Sequence, residues 1–240
     1  PRLFADEAAL GSMEESRAIG TDWIRALGAL PNEYLFYYYC HREAMARIHQ
    51  DQTRGEYLRD QQEAFYNAVL SHPEQAGRTW IDALADREAT YMAEARDVDE
   101  RSGRRAEDIA GGGYQKVALD LMNALATDTP ARMILNVGNA DGGFSSIPTL
   151  RDTDVVEVPC DVDASGVHPI PVAPLSGAAL GLVQSVKACE NLVIDAARER
   201  DRSLAWQALA LHPLVDSVNV AREVLDQAIR TNPLVAAAFD

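Results

Sequence analysis

Sequence typical of β-strands is confined to one short window of this 240-residue chain, and helical patterns fill the sequence on both sides of it. Residues 133–137 (MILNV) form an apolar run, and residues 155–160 (VVEVPC) alternate until Pro159 ends the predicted strand. Residues 168–174 (HPIPVAP) must be extended, because each proline disfavours helical backbone at the preceding residue. Since strands and helices do not alternate regularly, the pattern excludes a doubly wound sheet. It predicts an α+β fold, mostly helical, with a small sheet between two sets of helices.

Apolar residues at helical spacing and residues that favour helix ends define the predicted helices. The first predicted helix covers 13–29. The next three begin at residues that favour a helix start: Asn32, Thr53, which forms a capping box with Glu56, and Pro73. The last four cover 114–128, 177–200, 203–213 and 219–231. Residues 97–113 are charged and rich in glycine, which predicts a loop. Residues 235–239 form an apolar tail that needs a partner surface.

The composition is that of an ordinary globular protein with a strong negative charge. Hydrophobic residues make up 47% and the formal net charge is −15, which argues against nucleic-acid and anionic-membrane partners. No transmembrane segment or signal peptide is expected. Three cysteines without a disulfide pattern indicate a reducing, cytoplasmic setting. The chain begins with Pro1, as though an upstream segment had been removed.

Motifs that bind nucleotides or metals are missing from the sequence. The glycine cluster of Gly111, Gly112 and Gly113 lacks the G-x-G-x-x-G spacing and follows no apolar strand. No Walker loop, H-E-x-x-H, C-x-x-C or G-x-S-x-G occurs. We therefore predict no cofactor-binding or metal-binding residues in this chain.

Tyr114 is the candidate catalytic residue, because it follows the glycine triplet directly. Glycines allow backbone to approach a ligand closely, so Gly112 and Gly113 are candidate substrate-binding residues. A tyrosine held there could act as a base beside a cation or a metal. The alternative is a flexible loop with Tyr114 as the first core residue of the next helix.

Asn136 and Asn139, at the end of the first strand, are the other candidate substrate-binding residues, since strand ends often gather substrate groups. The alternative is an ordinary turn. The pairs Cys40–His41 and Cys160–His168 offer too few converging ligands for a metal site.

Tyrosines and a phenylalanine follow Asn32 on more than one helix face, so they form either a binding or oligomer surface or part of the core. They are Tyr34, Phe36, Tyr37, Tyr38 and Tyr39.

Several strings resemble the family 4 glycoside hydrolases in the same order. They are ALGALPNEYLFYYYCHREAMARI, GGGYQKVALDLMNALA, the N-V-x-N, V-V-E-V-P and H-P-x-P-V-x-P-L elements of residues 135–175, and the A-A-x-x-x-D-R and H-P-L-V elements of the C-terminal helices. The resemblance extends from about Ala26 to Val220 and is greatest to the 6-phospho-β-glucosidase branch.

The resemblance implies a fold like the C-terminal domain of lactate and malate dehydrogenases, with residues 1–240 as a substrate and oligomerisation domain. It also implies an upstream NAD-binding domain, a divalent metal, usually manganese, a phosphorylated glycoside as substrate, and a homo-oligomer. In this family a hydride leaves carbon 3 of the sugar and a tyrosine, here Tyr114, takes the proton at carbon 2 before the aglycone is eliminated. These enzymes are exceptions to the two-carboxylate scheme of glycosidases.

The isolated chain would be inactive, because the family's NAD loop and metal ligands lie upstream of the matched segment. Two alternatives stay open: a hydroxy-acid dehydrogenase-like oxidoreductase, and a non-catalytic helical interaction module.

Overall fold

The computed structural model describes residues 2–49, 52–95 and 113–239, which fall into two compact units, residues 1–112 and 113–240. The first unit is helical throughout its described part. The second contains a three-stranded antiparallel sheet with helices before and after it in sequence. The predicted α+β, mostly helical architecture is therefore confirmed. The predicted loop at 97–113 lies outside the described residues except for Gly113.

The first half of unit 1 is a series of short helices. They are α1 (Arg2–Ala5), α2 (Glu7–Ser12), α3 (Glu14–Ile19), α4 (Thr21–Leu27), a 3₁₀ turn (Glu33–Leu35), α5 (Phe36–Tyr39) and α6 (His41–Ile48). The predicted continuous helix 13–29 is wrong, because Gly20 takes φ +96° between α3 and α4. Asn32 does cap the next segment, accepting from the Tyr34 amide at 2.9 Å. That segment nevertheless breaks at Cys40, whose φ −113° and ψ +36° lie outside the helical region.

The core of unit 1 combines residues from distant parts of the sequence. Its buried members are Ile19, Phe36, Ala44, Met92 and Ala95, with Tyr37, Tyr39 and Tyr91 packed against them. The aromatic run that follows Asn32 therefore serves largely as core packing.

A helical hairpin follows, formed by α7 (Arg54–Ser71) and α8 (Ala76–Ala89), with a 3₁₀ turn (Pro73–Gln75) between them and another (Ala93–Ala95) after α8. The predicted capping box is confirmed: the Thr53 hydroxyl accepts from the Glu56 amide, and the Glu56 carboxylate accepts from the Thr53 amide at 2.9 Å. The predicted fourth helix begins at Ala76 rather than Pro73, because Pro73 opens the 3₁₀ turn instead.

Unit 2 begins with α9 (Gly113–Thr127) and the sheet of β1 (Ala131–Gly138), β2 (Val155–Asp163) and β3 (Gly166–Pro169) in the order β1-β2-β3. Both pairings are antiparallel. Val156, Val158, Cys160 and Val162 point to the buried face of β2. The predicted alternation is therefore confirmed.

Pro159 does not end the second strand as predicted. It lies within β2 opposite Ile134, and its carbonyl accepts from the Ile170 amide at 2.9 Å. In an extended strand the nitrogen and carbonyl of one residue point to the same side, so the nitrogen of Pro159 faces β3 just where that strand ends. The missing N–H therefore leaves Pro159 and Ile170 with one hydrogen bond instead of two, while the pairing with β1 is unaffected.

The C-terminal helices are α10 (Gly177–Glu199), α11 (Arg202–Leu211), α12 (Val218–Thr231) and α13 (Pro233–Phe239). Ala196, Ala205 and Leu225 join the first three in one core cluster, and Phe239 packs against it. The apolar tail predicted to need a partner is thus a short helix that finds one within the chain. Among the described residues, no helix is long and apolar enough to cross a membrane.

Candidate functional site

Tyr114 occupies the first turn of α9, next to Gly113 at the start of the helix. Its side chain is 88% exposed, so in this unit it is not the core residue that the alternative interpretation described. Gly112, the other glycine of the predicted substrate site, lies outside the described residues. The phenol of Tyr114 is therefore available to a ligand at the amino end of α9.

Within unit 2, only residues 128–130 separate α9 from β1, and α9 packs against both β1 and β2. This packing shields the C-terminal half of α9, where Ala124 is fully buried, whereas residues 114–119 are all exposed. Tyr114 therefore lies on the exposed N-terminal half of α9.

Asn136 lies on the open face of the sheet, exposed and opposite Glu157. Its neighbours on that face of β1 are Arg132 and Ile134, both exposed. A carboxamide at this position can donate to and accept from a polar ligand without first breaking contacts inside the protein.

Asn139 differs, because its side chain is completely buried. Its amide nitrogen lies 3.0 Å from the Ser145 hydroxyl, 3.1 Å from the Ile147 carbonyl and 3.2 Å from the Arg151 carbonyl. Its carbonyl oxygen accepts from the Ile147 amide at 2.8 Å. Donors and acceptor are used within the loop that joins β1 to β2, so the geometry gives Asn139 a loop-organising role and offers no free atom for substrate.

Asp154 closes the same loop and ties it to α10, a feature that the sequence reasoning missed. The backbone carbonyl of Asp154 accepts from the backbone N–H of Asn139 at 2.8 Å. Its carboxylate accepts from the Arg151 amide and from the Asn191 side chain, both at 3.0 Å. An aspartate immediately before a strand is the only sequence signal for this role, and many turns share it.

Gly138, at the end of β1, leaves little room for a side chain. Its amide donates to the Asp141 carboxylate at 2.7 Å, and an added Cβ would lie 2.6 Å from the Asp141 Oδ1. The carboxylate would have to move to admit any side chain. A side chain at position 138 would therefore disturb the hydrogen bond between the Gly138 amide and Asp141.

Charged residues pair across the open face of the sheet. Arg132 donates twice to Asp161, at 2.8 and 3.1 Å, and this bond, followed by the nearby charge of His168, lowers the pKa of Asp161. Hydrogen bonds from Ser165 lower the pKa of Asp163, with a smaller contribution from His168. The sequence reasoning missed the Arg132–Asp161 pair, which only the strand register makes adjacent.

The two cysteine–histidine pairs do not form metal sites. Cys160 points into the core while His168 pairs in register with Asp161, so the two side chains lie on opposite faces of the sheet. Burial raises the pKa of the Cys160 thiol. Within residues 2–49, 52–95 and 113–239, no group of three or more His, Cys, Asp and Glu residues is arranged to hold a metal ion.

Comparison with known proteins gives one family. A family model described as the family 4 glycosyl hydrolase C-terminal domain matches residues 1–215. The chain is 27% identical over 168 residues to the maltose-6'-phosphate glucosidase MalH of Clostridium acetobutylicum, covering 70% of this chain and 37% of that protein. It is 34% identical over 122 residues to the 6-phospho-beta-glucosidase BglT of Thermotoga maritima, covering 51% of this chain and 28% of that protein. The matched segments thus span only 37% and 28% of the length of these two relatives.

Solved structures agree on the fold. The 6-phospho-beta glucosidase from Thermotoga maritima, crystallised with NAD and glucose-6-phosphate, superposes with a TM-score of 0.69 at 23% identity, over 98% of this chain and 48% of that one. A 6-phospho-alpha-glucosidase from gut microorganisms, in complex with NAD and Mn²⁺, gives 0.61 at 22% identity, over 90% of this chain and 43% of that one. Both likenesses extend over nearly the whole chain.

Proposed function

The chain belongs to the family 4 glycosyl hydrolases, as their C-terminal domain, and from this premise we propose that it is part of a 6-phospho-glucosidase that uses NAD and a divalent metal. Its role is to complete the substrate site with Tyr114 and to support self-association. The sugar substrate is a glycoside of glucose 6-phosphate, the compound class named for the relatives.

One observation carries the proposal: the phenol of Tyr114 is exposed on the first turn of α9, directly after the glycine triplet of the sequence. A phenol with no core-packing role is suited to take a proton from the carbon next to a sugar ketone. Asn136 presents an exposed carboxamide that can orient a sugar hydroxyl. Gly113, and Gly112 before it, allow the ring of the substrate to approach the backbone closely. Asn139 shapes the loop rather than contacting the sugar.

When bound, NAD would take up the hydride from carbon 3 of the sugar and the metal would polarise the resulting ketone; we place the residues that would hold both groups outside those described above. The described residues contain no cluster of metal ligands, and the sequence has no glycine loop with nucleotide-binding spacing. We therefore assign NAD and the metal, probed as manganese, to an N-terminal domain of the same protein. The free thiols of Cys40, Cys160 and Cys189 support a cytoplasmic setting.

The direct test is release of p-nitrophenol from the α- and β-anomers of p-nitrophenyl glucoside 6-phosphate by the full-length protein, with NAD and Mn²⁺. We expect Tyr114→Phe to lower kcat by about 100- to 10,000-fold, the usual contribution of a general base. Exchange of the carbon 2 hydrogen with solvent should be lost in parallel. Tyr57→Phe, which removes a tyrosine hydroxyl bonded to Asp86 in the other unit, is the matched control and should keep its activity.

Unchanged turnover in Tyr114→Phe would remove Tyr114 from the mechanism. Steady reduction of NAD by a hydroxy acid without release of p-nitrophenol would instead favour a dehydrogenase-like oxidoreductase. The anomer that is cleaved decides between the α- and β-glucosidase branches, of which the sequence resemblance predicts the second.

A further inference from the structure

The helical hairpin of α7 and α8 has no buried residue along either helix. What holds it together is a half-buried seam between the helices, which contains Tyr57, Gln61, Phe65 and Ala68 from α7. Hydrogen bonds from Arg54, Tyr57 and Gln61 also cross the hairpin. The two helices nevertheless bury little apolar surface between them, and most helical stability in proteins comes from the packing of an apolar face. The hairpin is therefore built to be covered on another side.

That side carries a patch of large apolar residues, here called the hairpin patch. Its members and their exposed fractions are Tyr66 62%, Leu70 79%, Trp80 56%, Ile81 65% and Leu84 37%. Tyr66 and Leu70 are four residues apart on α7, and Trp80 and Leu84 are four apart on α8, so each pair lies along one helix face. No other run of the described hairpin exposes comparable apolar side chains on both helices.

Ring contacts through Phe65 link the two halves of the hairpin patch across the seam. The ring of Phe65 contacts Tyr66 with centroids 5.2 Å apart and Trp80 with centroids 5.8 Å apart, both edge to face. The patch is therefore continuous across the seam. The opposite side is a groove whose lining includes Asp60, Ala64, Thr79 and Asp86.

We propose that the hairpin patch is a dimer interface that packs against the same patch of a second copy of this chain, forming a four-helix bundle about a two-fold axis. A two-fold interface requires a surface that complements itself, and two antiparallel hairpins with one apolar side each meet that requirement. The inference rests on the self-association in the proposed function and adds its surface.

The area of the patch is sufficient for a stable pair. The exposed fractions amount to about three fully exposed large side chains, or about 450–600 Å² at about 150–200 Å² each. Two copies would bury about 900–1,200 Å² from these side chains alone, and flanking residues add to it. This reaches the roughly 1,000 Å² that separates specific interfaces from incidental contacts.

The test uses the purified protein and the variant Leu70→Glu with Ile81→Glu. Both side chains are largely exposed, so the substitutions spare the fold of one copy, while a pairing would bury four carboxylates. We expect a dimer by light scattering and sedimentation for the wild type, and a dimer dissociation constant raised about 100-fold or more for the variant. The control, Ala64→Glu, adds a carboxylate on the groove side of α7 and should leave the mass unchanged.

Cross-linking gives a second measurement that does not depend on the glutamate variants folding. Gln62 lies one turn before Tyr66 on the same face, so Gln62→Cys should form an intermolecular disulfide that Ala64→Cys does not form. A monomeric wild type would overturn both the self-association and its surface. A wild-type dimer that survives Leu70→Glu with Ile81→Glu, or a Gln62→Cys cross-link no stronger than the control, would overturn the hairpin interface alone.

Discussion

Replacing Asn139 by alanine should destabilise unit 2 far more than replacing Asn136, although the two residues are three positions apart and were both predicted to bind substrate. The Asn139 amide is buried and bonded to three acceptors and one donor of the loop between β1 and β2. Alanine would leave the Ile147 amide and the Arg151 carbonyl without these partners. Each buried polar group left unsatisfied costs about 1–3 kcal/mol.

The expected loss for Asn139→Ala is therefore about 2–5 kcal/mol in the free energy of unfolding, a large share of the roughly 5–15 kcal/mol typical of a domain. Asn136→Ala removes an exposed side chain and should change the stability by less than about 0.5 kcal/mol, while raising the KM for the sugar. Asn139→Asp keeps the acceptor for Ile147 but turns a carboxylate oxygen toward carbonyl oxygens. At neutral pH, Asn139→Asp should lower the free energy of unfolding at least as much as Asn139→Ala does. In acid, protonation of the new carboxylate should partly reduce this loss.

The assay is urea unfolding followed by circular dichroism, together with hydrogen exchange of the 139–154 segment. Asn139→Ala should shift the unfolding midpoint and release the protection of the Ile147 amide. If Asn139→Ala unfolds within about 0.5 kcal/mol of the wild type with exchange unchanged, the loop-organising role is refuted. A raised KM at unchanged stability would then restore Asn139 as a substrate contact.

Three further predictions concern single features of the two units. Thr53→Ala removes the cap of α7 and should cost about 1 kcal/mol in thermal or urea unfolding, with Thr53→Ser close to the wild type. The hydrogen bond from Arg132 lowers the pKa of Asp161 in the folded state. The ionised Asp161 therefore stabilises the folded state fully above its unfolded pKa of about 3.9, and this stabilisation is lost as the pH falls through the folded pKa. The stability difference between Asp161→Asn and the wild type should thus be present at pH 7 and disappear in acid, once the pH has fallen through the lowered folded pKa of Asp161. Burial raises the pKa of both Cys40 and Cys160, but Cys160 is fully buried and Cys40 only half-buried, so under native conditions a thiol reagent should modify Cys40 first; equal rates for both would contradict the packing.

Local signals in the sequence predicted the elements around the candidate site well. The helix that begins at Tyr114, the strand at 133–137 and the long helix from Gly177 all depend on neighbours a few residues away, so their patterns are visible in the chain itself. The capping box of Thr53 and Glu56 is equally local. The roles of side chains within these elements were predicted less well.

The predictions that were wrong concern features that depend on packing between residues far apart in the chain. Pro159 continues a strand because β3 ends beside it, and Cys40 interrupts a helix whose pattern is continuous in sequence. Nothing near Asn139 in the sequence reveals that Ile147 and Arg151 return to bond its amide. The sequence therefore does not distinguish Asn136 from Asn139, although the first side chain is exposed and the second is buried.

The class of fold, the order of helices and strands and the family resemblance could all be predicted from the chain, because they depend on local periodicity and residue type. Four features became visible only in the folded chain: the exposure of Tyr114, the loop-organising role of Asn139, the pair of Arg132 and Asp161, and the apolar side of the hairpin. Burial and cross-strand pairing depend on residues far apart in the chain, and these meet only when the elements pack.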